Sequence, residues 1–93
     1  MKNWKTEEME SFFSAILLLK TSEEVGAFFR DVCTLSELSE MSRRLLAAKI
    51  IHSGASIRSV AEQTSLSTTT VCRVSHWMKQ GAGGYDFIFS RTK

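Results

Sequence analysis

Between residues 58 and 76 the chain carries Arg58, Ser67, Thr68, Thr69, Cys72, Arg73 and His76, side chains whose chemistry is hydrogen bonding to anions and to base edges. Ser and Thr hydroxyls donate or accept, a Thr methyl can touch a thymine methyl, and an arginine reaches a guanine edge or a phosphate. Other chemistries fit these residues less well. Cys72 and His76 stand i, i+4 and could supply two metal ligands, but Cys33 and His52 have no spacing that completes a tetrahedral set. No Gly-framed serine sits on a strained turn and no carboxylates pair for acid–base work, so catalysis is not expected. The Gly81-Ala82-Gly83-Gly84 run lacks the Lys-Ser/Thr of a phosphate cradle and reads as a turn. No metal and no cofactor are expected.

Presenting such residues to a duplex takes two short helices that cross at about 90–120° around a tight turn. Residues 57–76 have the pattern. Ala61 is the small residue where the backbones approach, Val60 precedes it, Leu66 follows the turn, and Val71 and Val74 lie at core-facing spacing on the second helix. Two positions deviate: Thr64 stands where a larger apolar residue is commoner, and Ser65 occupies the turn position that often holds Gly. Ser67 can cap the second helix, whose polar face then carries Thr68, Thr69, Cys72, Arg73 and His76 toward a major groove about 12 Å wide. Arg58, near the start of the first helix, is placed to hold the DNA backbone or an adjacent base, and the free N–H groups of that helix end favour phosphate as well.

Charge supports the same assignment. Residues 1–40 hold four basic and eight acidic side chains, whereas residues 41–93 hold eight basic and two acidic, so the net +2 conceals a basic C-terminal half. Clustered cations draw phosphate over about a Debye length, ~8 Å at physiological salt. With 93 residues, 43% of them apolar, the chain is one domain near the lower limit of independent stability, and a second copy of itself is the expected source of additional core. Two cysteines are too few for a disulfide scaffold; Cys33 and Cys72 lie in apolar helical patterns and are expected as reduced, buried thiols. The longest unbroken apolar run, Ala15–Leu19, is far short of the ~20 residues of a bilayer crossing and no secretory leader pattern opens the chain, so the expectation is a cytoplasmic protein without membrane contact.

The remaining sequence must hold the reading head. Proline is absent and apolar residues recur at helical spacing, which predicts an all-α chain. A first helix is expected from Thr6 to about Lys20, apolar over more than one stripe and therefore enclosed on two sides, with Trp4 stapling it to a neighbouring chain. A capping box, Thr21 to Glu24, opens a second helix carrying Val25, Phe28, Phe29 and Val32. A third runs from about Glu37 to Ser53, with a break near Ser42, and ends at Gly54, where positive φ is expected. The two short helices span about 56–63 and 67–79. Tyr85-Asp86-Phe87-Ile88-Phe89 alternates and predicts a short extended segment. His52 is expected as a capping or solvent histidine, and Trp77 as a core or dimer anchor rather than a platform for stacked bases. In these terms residues 1–54 are dimerisation and core helices, 55–79 the helix-turn-helix, and 80–93 a Gly-rich turn and tail.

From about Thr34 to Lys79 the sequence resembles the Trp repressor superfamily, and Met41-Ser42-Arg43-Arg44-Leu45 together with Gly81-Ala82-Gly83-Gly84-Tyr85 is similar to its YerC/YecD-like branch. That resemblance implies a Trp-repressor-like, intertwined all-helical homodimer with two reading heads side by side. In tryptophan-sensing members two arginines sandwich the bound indole. Arg44, or Arg43 with a one-residue shift, and Arg73 occupy the matching positions, with Lys49 a further candidate for an effector or phosphate. Where the tryptophan binders have glycine after the second arginine this chain has Val74, which would intrude on the same space and disfavours a tryptophan corepressor. The expected function is a homodimeric, double-stranded-DNA-binding transcriptional regulator, a repressor on a two-fold operator. The alternatives are a repressor dependent on tryptophan or another small effector, and a protein-interaction module that works through its apolar N-terminal helix.

Overall fold

The computed structural model describes residues 3–92, which form six helices and no strand. They fall into two compact units, residues 1–35 and residues 36–93. No helix among them is long and apolar enough to cross a membrane.

The first unit holds α1 (Glu7–Ile16) and α2 (Ser22–Val32). Thr6 caps α1 by accepting from the Met9 N–H, with Glu7, Glu8 and Glu10 on the positive end of the helix dipole. The helix stops four residues short of the expected Lys20. Leu18 and Leu19 close tighter i→i−3 bonds onto Ala15 and Ile16, and the Lys20 N–H donates to Glu24 Oε1 at 2.7 Å, so the next helix's acidic cap fixes the chain before α1 can continue. Thr21 accepts from the Glu24 N–H as the capping box predicts, while the return bond goes to Lys20. Phe12, Phe28 and Phe29 pack ring on ring at 5.8–6.1 Å, and Trp4 meets Phe13 edge-on. No residue of α1 or α2 is buried, however, and Leu17 and Leu18 are 83% and 77% exposed.

In the second unit α3 (Leu35–His52) runs unbroken. The expected break near Ser42 does not occur, because its hydroxyl donates to the Leu38 carbonyl one turn back and stays with the helix. Gly54, at φ +103°, ends that stretch as predicted. The chain then forms α4 (Ile57–Thr64), α5 (Thr68–Gln80) and α6 (Gly84–Arg91). Val60, Leu66, Val71 and Val74 close on Ala47 and Ala48 of α3, and Ile50, Ile51, Ala61, Met78, Tyr85 and Phe89 pack around them. With valines as its largest fully buried side chains, this core is thin.

The last element corrects the sequence reading. Residues 85–89 are helical, not extended, because Gly83 adopts φ +86° and starts α6, which carries Tyr85 and Phe89 inward one turn apart. Phe87 and Ile88 remain exposed. His52 is exposed in the last turn of α3, as expected of a solvent histidine, and its ring also stacks on Phe89 at 4.7 Å.

Candidate nucleic-acid interface

Local hydrogen bonding builds the reading head. Ser56 caps α4 by accepting from the Ser59 N–H at 3.2 Å, and Ser67 caps α5 by accepting from the Thr70 N–H at 3.1 Å. Between the two helices the deviant positions are both accommodated. Thr64 is buried, but its hydroxyl donates to the Val60 carbonyl at 2.7 Å and accepts from the Leu66 N–H at 3.3 Å, so no polar group there is stranded. Ser65 takes the left-handed conformation itself, φ +61°, the one non-glycine with positive φ among the described residues. Ala61 is partly buried and packs against the core.

On α5 the two faces separate by period. Val71 and Val74 are fully buried, whereas Thr68, Thr69, Cys72, Arg73 and His76 are exposed, as are Ser67 just before the helix and Arg58 in the first turn of α4. All seven residues expected to meet DNA are thus solvent-facing in the unit that carries the basic half of the chain. Neither Arg58 nor Arg73 is neutralised by a carboxylate among the described residues. Cys72 corrects one expectation, being an exposed free thiol rather than a buried one; Cys33 is partly buried. No cluster of three or more metal-binding side chains occurs among the described residues.

Of the candidate effector residues, Arg73 lies on that exposed face, whereas Arg43, Arg44 and Lys49 belong to α3. Arg43 and Arg44 are partly buried on α3, each with its Nε buried and without a hydrogen-bond partner. Arg44 pairs with Glu40 at 2.7 Å, and its guanidinium lies 5.9 Å from the centre of the Trp77 ring. Burial pushes the Tyr85 phenol above its ordinary range, and the nearby Arg44 charge opposes that rise. Trp77, expected as a core or dimer anchor, is 42% exposed and lies outside the core of this chain. Val74 lies in the hydrophobic core, as its helical spacing predicts, and the aromatic ring near Arg44 is that of Trp77. Lys49 lines an open groove of about 320 Å³ with His52, Phe89 and Thr92. Sequence reasoning missed this Glu40–Arg44–Trp77 arrangement. Its only legible trace was the i, i+4 spacing of Glu40 and Arg44.

The family model described as Trp repressor protein matches residues 7–93. This chain belongs to the Trp repressor family. It is 32% identical to YerC of Bacillus subtilis (strain 168) over 87 residues, 94% of this chain and 84% of that protein. Its fold matches the crystal structure of a TrpR-like protein from Eubacterium eligens ATCC 27750 with a TM-score of 0.88 and 40% identity, covering 94% of this chain and 90% of the other. A crystal structure from Staphylococcus aureus, proposed to be a Trp repressor, matches with a TM-score of 0.86 and 33% identity over 94% of this chain and 87% of that one. The resemblance read from residues 34–79 and 81–85 is therefore borne out, and it extends over the N-terminal helices that the motifs did not reach. As a Trp repressor family member the chain has a regulatory, DNA-binding fold rather than an enzymatic one.

Proposed function

We propose that this chain is a homodimeric, sequence-specific binder of double-stranded DNA that represses transcription by occupying a two-fold operator in the cytoplasm. The observation that carries the proposal is the division of α5: Val71 and Val74 are locked in the core, while Thr68, Thr69, Cys72, Arg73 and His76 face solvent beside the cap residue Ser67. Those groups read a major groove, Arg58 and the open amides of the α4 start hold the backbone, and two such heads sit about 34–36 Å apart, one helical turn of DNA. Function is docking, without bond chemistry. The dimer is supported by the first unit, where Trp4, Met9, Phe13, Leu17, Leu18 and Val25 are exposed and nothing is buried. Apolar surface of that extent on so short a segment calls for a covering chain.

Random-sequence duplex titrated at two salt concentrations, with and without tryptophan, tests the reading. Affinity is expected to fall steeply with salt, because each neutralised phosphate releases counterion, and to ignore tryptophan. Binding only when tryptophan is present would favour an effector-dependent repressor built on Arg43, Arg44 and Arg73. Absence of salt-sensitive DNA binding would leave a protein-interaction module working through α1. Sedimentation at micromolar concentration checks the dimer.

A further inference from the structure

A groove of about 320 Å³ opens where the C-terminal ends of α3 and α6 come together, and the residues proposed to meet DNA leave it unused. Lys49 and His52 of α3, Phe89 of α6 and Thr92 just beyond α6 line it. Glu40, Arg44 and Trp77 do not.

One wall is aromatic. Tyr85, Phe89 and His52 form a row of near-parallel rings, Tyr85 on Phe89 at 6.2 Å and 19°, and His52 on Phe89 at 4.7 Å and 20°. The groove lies at the His52 end of that row, since its lining takes in Phe89 and His52 but not Tyr85. A flat ring entering there adds a further member to the stack, and aromatic rings about 4.5–7 Å apart attract beyond the area they bury.

The other wall is cationic. Lys49 stands one turn before His52 on the same helix face, and among the described residues no carboxylate lines the groove or pairs with Lys49. The ends of the two helices do not supply the missing negative charge as free carbonyls. Those of Lys49, Ile50 and Ile51 accept from the N–H groups of Ser53, Gly54 and Ala55, and those of Ile88 and Phe89 accept from the hydroxyl and the N–H of Thr92. An unpaired ammonium beside a stacked aromatic wall therefore calls for a ligand that is both flat and anionic.

We propose that this groove binds a small aromatic carboxylate, whose ring extends the stack on His52 and Phe89 and whose carboxylate pairs with the Lys49 ammonium. Its volume lies at the lower end of the range for small-molecule sites, which suits an acid of one or two rings. Bound there, the ligand joins α3 to α6, the helix whose Tyr85 and Phe89 pack against the core beneath α5. The site stands independently of the DNA-binding function proposed above.

Naphthoate is the probe, with naphthylmethanol as its uncharged counterpart and inorganic phosphate as the bare anion. Titrated into the whole chain and followed by NMR, naphthoate should shift Lys49, His52, Phe89 and Thr92 and leave Arg44 and Trp77 in place. In calorimetry, naphthylmethanol should bind the parent, and naphthoate the Lys49→Gln variant, about five- to tenfold more weakly than naphthoate binds the parent, and phosphate should not compete. Lys49 is exposed, so this substitution leaves the fold intact. Equal binding of acid and alcohol, undiminished binding to Lys49→Gln, displacement by phosphate, or shifts centred on Arg44 and Trp77 would each overturn the proposal. So would a parent protein that ignores naphthoate at millimolar concentration.

Discussion

Replacing Arg73 by Ala tests the reading face most directly, and its effect can be worked from the structure. Arg58 and Arg73 are exposed and unpaired with any carboxylate among the described residues, so a homodimer offers four free guanidiniums from these two positions. If all four neutralise phosphates, the logarithm of affinity falls with the logarithm of salt at a slope of about −3.6, and raising salt from about 50 to 200 mM costs roughly a hundredfold. Arg73→Ala removes two contacts, the slope drops to about −1.8, and the same salt step costs only about tenfold. Parent and variant therefore converge as salt rises. If Arg73 instead reads a guanine edge, the slope holds while the variant loses ~1–3 kcal/mol and discriminates less at one base pair per half-site. Fluorescence anisotropy on a labelled duplex at four salt concentrations separates the two. A variant with parental affinity and parental slope would show that the outer face of α5 does not meet DNA, and the helix-turn-helix reasoning would fall with it.

Three further outcomes concern the scaffold. Ala61→Leu forces extra volume into the α4–α5 crossing and should lower stability by ~1–3 kcal/mol in urea unfolding, with DNA binding lost in step. Ser65→Gly relieves a left-handed residue at φ +61° and should raise stability by ~0.5–1 kcal/mol, read from the same transitions. Tyr85 contributes through pH: burial raises its phenol's pKa in the folded state, so the neutral form is favoured there. That contribution is intact below the unfolded-state value of 10.0 and is lost as pH climbs through the higher folded-state value. Tyr85→Phe should therefore flatten the alkaline decline in melting temperature measured between about pH 9 and 11.

The expectations that held were those in which local chemistry dictates structure. Thr21 and Ser67, read as caps, each accept an amide from three residues ahead, a bond set by neighbours in sequence. Val60, Val71 and Val74 follow helical period, so their burial and the exposure of Arg73 and His76 were readable together. Expectations failed where a distant residue arbitrates. The α1 terminus depends on a carboxylate four residues beyond Lys20, and a short alternating run such as 85–89 fits strand and helix alike until Phe89 finds His52.

From the linear order of residues alone came the all-helical class, the positions of the two reading helices and the basic half that accompanies them, because capping, periodicity and charge are properties of neighbours in sequence. Folding in space decided the remainder. Only there does Trp77 come to lie 5.9 Å from the Arg44 guanidinium and α6 replace the expected extended segment, since both depend on which surfaces far apart in the chain can approach and exclude water.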